Sequence, residues 1–75
     1  MNHPITNRLR ELIRQSPFHP FTIKMVDGQR YSVPHEDFLS VTLSGMVYYD
    51  DGKRVHRELN VLLIQEIEHA TPASA

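Results

Sequence analysis

The chain has 75 residues, a net charge of −1 and no cysteine, which describes one small domain and excludes disulfides and thiolate metal sites. Near-neutral charge gives no bulk attraction to nucleic acid, and the longest fully apolar run, residues 61–64, is far below the roughly 20 residues of a membrane span. A chain this short buries only about 60% of its unfolded surface, so its core is marginal and self-association is a common remedy.

The first element is a helix over about residues 6–16. Ile5, Leu9, Leu12 and Ile13 fall at i, i+4, i+7 and i+8, one face of a helix. Thr6 or Asn7 is placed to cap its start, and Ser16-Pro17 ends it, because the residue before proline is pushed out of the helical region. Pro17 and Pro20 bracket Phe18 and hold the link extended.

Strands are expected from about residue 20 to 68. Asp27-Gly28 between two apolar-rich runs signals a hairpin. A two-residue loop scatters the apolar side chains over both faces. A three-residue loop, Val26-Asp27-Gly28, sets Phe21 opposite Val33, Ile23 opposite Tyr31 and Met25 opposite Gln29, and gathers them on one face; that register is expected. Val33-Pro34-His35-Glu36-Asp37-Phe38 marks a corner, with Asp37 or Glu36 bonding backbone amides and Phe38 plugging the core. Leu39, Val41 and Leu43 alternate with Ser40, Thr42 and Ser44, the pattern of a half-buried strand, and Ser44-Gly45 reads as a turn.

A second hairpin is expected around Asp51-Gly52. With the same three-residue loop, Val47 faces Val55, Tyr48 faces Arg54 and Met46 faces His56. Residues 59–67 fit either a helix or a tight turn at 60–62 followed by a strand holding Ile64 and Ile67. The strand is preferred, since a last strand closes the sheet and removes an edge. Residues 70–75, Ala-Thr-Pro-Ala-Ser-Ala, read as a flexible tail. The expectation is a mainly β chain with one N-terminal α-helix, folded as a small, strongly bent SH3-like or Sm-like barrel of five or six antiparallel strands.

The run Pro17-Phe18-His19-Pro20-Phe21-Thr22-Ile23, the Asp27-Gly28 hairpin and the His35-Glu36-Asp37-Phe38 corner resemble a family of short bacterial proteins of unknown function. The resemblance covers nearly the whole chain and implies no activity. More distantly, the helix-then-bent-barrel pattern is similar to the bacterial Sm-like RNA chaperone, a resemblance that implies ring assembly. That family's Tyr-Lys-His-like signature is replaced here by Glu58-Leu59-Asn60, so its RNA-contacting residues do not carry over.

Of the candidate sites, Met46, Tyr48, Arg54 and His56 rank first. On the expected register they share one sheet face, where an aromatic beside an arginine seats a partner's side chain, or simply forms a cross-strand pair. Arg8, Arg10 and Arg14 cluster on the helix and suit phosphate contact. Glu11 is spaced to pair with Arg8 and Arg14, which favours a solvated face instead. Basic residues dominate 1–30 and acidic ones 31–75, a polarity suited to head-to-tail assembly or to plain solvation. His35, Glu36 and Asp37 are adjacent on an extended corner and point apart, which argues against a metal site or an acid–base pair. Met1-Asn2-His3 has the nitrogen spacing for Cu(II), as has any chain with histidine third.

No Gly-rich phosphate loop, nucleophile elbow, H-E-x-x-H motif or cysteine nucleophile is present. The expected reading is a non-enzymatic, self-associating interaction module without metal or cofactor. A protein partner is compatible with it, and an Sm-like RNA-binding oligomer is the alternative. The first residues lack a basic-then-apolar signal pattern, so a cytoplasmic location is expected.

Overall fold

The computed structural model describes residues 3–69. Residues 70–75, read from the sequence as a tail, lie outside them, as do Met1 and Asn2 of the Met1-Asn2-His3 motif. One helix, α1 (Pro4–Arg14), precedes six strands: β1 (Phe21–Met25), β2 (Arg30–Val33), β3 (Leu39–Val41), β4 (Val47–Asp50), β5 (His56–Leu59) and β6 (Ile64–His69). Single 3₁₀ turns join β2 to β3 (Glu36–Phe38) and β5 to β6 (Val61–Leu63). No helix among the described residues is long and apolar enough to cross a membrane.

The helix begins two residues earlier than the periodicity suggests. His3 caps it, its Nδ1 accepting from the Ile5 N–H at 3.1 Å, and Pro4 supplies the first turn, where a missing N–H costs nothing. Thr6 is therefore no cap: it is buried with Leu9 and Leu12 on the inward face. The helix ends at Arg14, and Gln15 is already extended.

The strands form two three-stranded antiparallel sheets, β2-β1-β6 and β3-β4-β5. They do not close into one hydrogen-bonded barrel: among the described residues no strand pairing joins them, and the chain crosses between them at the two 3₁₀ corners. Phe21, Ile23 and Val33 of the first sheet meet Leu39, Val47 and Leu59 of the second, with Leu9 and Leu12 of the helix completing the core.

The first hairpin has the expected register, Phe21 with Val33 and Ile23 with Tyr31. Met25 donates to the Gln29 carbonyl at 2.8 Å, and Gly28 takes φ +93 at the end of the three-residue loop. Asn60 makes the expected tight turn by accepting the Leu62 N–H at 2.9 Å, and β6 follows and pairs with β1.

Three expectations are corrected. The second hairpin is displaced by four residues: Val47 pairs with Leu59, Tyr48 with Glu58, Tyr49 with Arg57 and Asp50 with His56. The cause is Asp51, whose carboxylate accepts the N–H groups of Lys53, Arg54 and Val55 at 2.8, 3.1 and 3.1 Å and makes residues 52–54 the loop, closed by the Asp51 N–H on the Val55 carbonyl at 2.9 Å. Leu43 is not in a strand. Thr42 bonds Met46 across a tight turn and leaves Leu43 97% exposed at the tip. The His35 corner is held by the Phe38 N–H bonding the His35 carbonyl at 3.1 Å, not by the carboxylates of Glu36 or Asp37.

Candidate functional site

Cross-strand partners in an antiparallel sheet share a face. The outer face of β3-β4-β5 therefore carries Ser40, Tyr48 and Glu58 on one rung and Asp50 with His56 on the next. Tyr48 is 43% exposed at the centre of that face, and Met46 stands at its edge, just before β4. Tyr48, His56 and Met46 share this face, but Met46 and His56 stand at opposite ends of it and not opposite each other as expected. Arg54 does not join them: it sits in the Asp51 loop, its N–H bonded to the Asp51 carboxylate. The residue opposite Tyr48 is Glu58, so this face carries a tyrosine beside carboxylates rather than beside a guanidinium.

Arginine does meet tyrosine, on the other side of the same sheet. Arg57 donates to the Tyr31 hydroxyl at 3.2 Å and lies 5.9 Å from that ring's centroid. Tyr31 packs against Tyr49 at 5.1 Å, and the Tyr49 hydroxyl donates to the Ser32 carbonyl at 2.8 Å. These contacts stitch the two sheets along one seam. Burial, helped by the nearby Asp51 charge, raises the Tyr49 pKa above its ordinary value.

The helix arginines do not form a free cluster. Arg10 reaches across to the turn after β3 and donates to the carbonyls of Thr42 and Leu43 at 2.7 and 3.2 Å. Arg8 lies 3.7 Å from Glu11 and 3.3 Å from the His69 ring. Arg14 has no partner among the described ion pairs and hydrogen bonds.

Sequence reading missed an apolar strip. Val26, Leu62 and Leu63 are 58%, 75% and 48% exposed and adjoin one another, because the Val26 N–H bonds the Leu63 carbonyl at 2.8 Å. Next to them, Val61 and Met46 line a shared hollow of 360 Å³ with Glu58 and Asn60. The strip covers the second 3₁₀ turn and the tip of the first hairpin; the exposed Met46 adjoins the hollow, whose lining also includes the polar Glu58 and Asn60. Its signal in the sequence was Val26 inside a polar turn, and a Leu-Leu pair on a turn that can bury only part of it.

His35, Glu36 and Asp37 are all exposed and do not converge. Among the described residues, no three His, Asp or Glu side chains are placed to share a metal ion. In comparison with known proteins, no family model, curated protein or solved structure matches this chain.

Proposed function

We propose that this chain is a non-enzymatic interaction module that associates with copies of itself. The observation that carries the reading is the apolar strip: on so small a surface, contiguous exposed aliphatic side chains mark an interaction site. The ridge of Met46 and Tyr48 stands beside the 360 Å³ hollow, the arrangement an isologous pair needs to seat each copy's ridge in the other's recess. The two sheets are read as halves of a partly open small barrel, continuous through the corners at Glu36–Phe38 and Val61–Leu63. The resemblance to short bacterial proteins and to Sm-like assemblies agrees with this reading. No such support favours RNA: Arg10 bonds carbonyls and Arg8 faces Glu11.

The test is native mass spectrometry on protein prepared without nuclease treatment. A mass several times 8.7 kDa is expected, falling to the single chain on Leu62→Lys with an unchanged circular dichroism spectrum. A wild-type monomer at every concentration ends the self-association reading, and added mass in nucleotide steps replaces it with RNA binding.

A further inference from the structure

A groove of 280 Å³ runs between α1 and β3, on the side of the molecule that holds the helix arginines. β3 is an edge strand, paired only with β4. Its hydrogen-bond phase follows from the turn beyond it. Thr42 donates to the Met46 carbonyl at 2.9 Å, so Thr42 and Met46 are a bonded pair. Bonded and non-bonded pairs alternate along an antiparallel ladder. Ser40 with Tyr48 is therefore the next bonded pair, while Leu39 and Val41 turn their backbone groups away from β4, towards the open edge. The Leu39 N–H is taken by the Glu36 carbonyl. The Leu39 C=O and both backbone groups of Val41 have no partner among the described hydrogen bonds. That is the set which receives one residue of an added antiparallel strand through both its N–H and C=O, and a second through its N–H.

The side chains around this edge state the chemistry of the guest. A residue opposite Val41 shares its face and lies among Ile13, Leu39 and Val41, so it is apolar. The rim carries two guanidinium groups, Arg10 and Arg14, and no carboxylate lines the groove. Arg10 is held by the Thr42 and Leu43 carbonyls, which leaves Arg14 to meet a charge. We infer that the α1–β3 groove is a docking site for an extended acidic peptide segment, added as a strand to the free edge of β3, with an apolar residue opposite Val41 and a carboxylate on Arg14. This surface is separate from the apolar strip, so the two readings fail independently.

The experiment titrates ¹⁵N-labelled full-length chain with two pools of terminally blocked pentapeptides, Thr-Glu-X-Glu-Thr and Thr-Lys-X-Lys-Thr, where X is Val, Ile, Leu or Phe. The acidic pool is expected to shift the Val41 amide and protect it from exchange, and to bind about tenfold tighter than the basic pool at low salt, as steering by Arg14 requires. Arg14→Glu is expected to invert that preference. Because Arg14 is exposed in the last helical turn, the variant's unchanged Leu9 and Leu12 resonances report a retained fold. No shift at Val41 with either pool at millimolar concentration overturns the proposal. So does a preference that survives Arg14→Glu. Concentration-dependent protection of Val41 in the free protein overturns it in favour of a second copy on this edge.

Discussion

Both hairpins close around three residues, yet they use the same Asp-Gly pair differently. In the first, the Met25 N–H bonds the Gln29 carbonyl and Asp27-Gly28 lies inside the loop; in the second, the Asp51 N–H bonds the Val55 carbonyl, so Asp51 closes the loop and Gly52-Lys53-Arg54 form it. In the first, Phe21, Ile23, Met25, Tyr31 and Val33 are all buried, and an odd slip exposes the whole set. Burial chooses the register and the loop conforms. In the second, the residues after Gly52 are Lys53 and Arg54, which gain nothing from the core. The Asp51 carboxylate instead collects three amides of the loop, and such charge-assisted bonds are about twice as strong as neutral ones. Pairing then runs from Asp50 with His56 through Tyr49 with Arg57 and Tyr48 with Glu58 to Val47 with Leu59, where both residues are buried. One turn is set by what lies beyond it, the other by its own side chain.

Ile23→Ala should separate the two cases most sharply. Ile23 is fully buried, and deleting such a side chain costs about 2–5 kcal/mol. A chain of this length has a total stability of roughly 4–11 kcal/mol. Urea melts should show a large loss of midpoint, against a small one for Val55→Ala at the half-buried loop end of the second hairpin. Equal losses would mean that burial sets both turns alike.

Glycine comes next. Gly28 and Gly52 take φ +93 and +75, and a Cβ at either meets nothing within 4 Å. The cost of Gly28→Ala is therefore conformational, about 1–2 kcal/mol. Gly52→Asn should be nearly neutral in a thermal melt, because asparagine tolerates the left-handed region that Gly52 occupies.

Asp51→Ala should act locally. Amide exchange at Lys53, Arg54 and Val55 is expected to speed up while that of Ile23 and Tyr31 is unchanged. The same carboxylate gives a pH signature. Its bonds to the Lys53, Val55 and Arg54 amides hold its pKa below the ordinary 3.8. A group depressed on folding stabilises the fold above its ordinary value, and that stability is lost as pH falls through the folded value. Glu68, depressed by its hydrogen bond from Arg30, adds to the same acid limb. Carbonyl NMR should place the Asp51 midpoint below 3.8, and Asp51→Asn should flatten stability below about pH 4. An ordinary midpoint would remove Asp51 as the organiser of this loop.

The smallest effect belongs to the outer face of the first sheet. Lys24 and Glu66 lie 3.9 Å apart in partly exposed positions, and Lys24→Ala should cost less than about 1 kcal/mol. A larger loss would mean that charge, and not only burial, helps to set the first sheet.

Much of the architecture was legible in the residues. The 3.6 spacing of Ile5, Leu9, Leu12 and Ile13 reports the helix, the one-face test reports the first register, and Asn60 before Val61-Leu62-Leu63 reports the turn into β6. The candidate site was legible only in part. Tyr48, Met46 and His56 were recognised as outward side chains, but Arg54 was placed among them by a register that the pattern cannot choose. A slip of four residues keeps Val47 and Tyr49 on the same face as before, so alternation is blind to it. The Val26, Leu62 and Leu63 patch escaped because Val26 is far in sequence from the two leucines and meets them through one backbone bond.

The sequence by itself determined the N-terminal helix, the turn and register of the first hairpin and the inward faces of its strands, because these depend on periodicity and on local backbone preference. Only the tertiary structure decided the second register, the stitching of the sheets by Arg57, Tyr31 and Tyr49, and the open edge of β3 beside Arg14. Each of these depends on a side chain reaching a group distant in the chain, or, at Asp51, on a carboxylate competing with the ladder for amides, and neither is encoded in spacing alone.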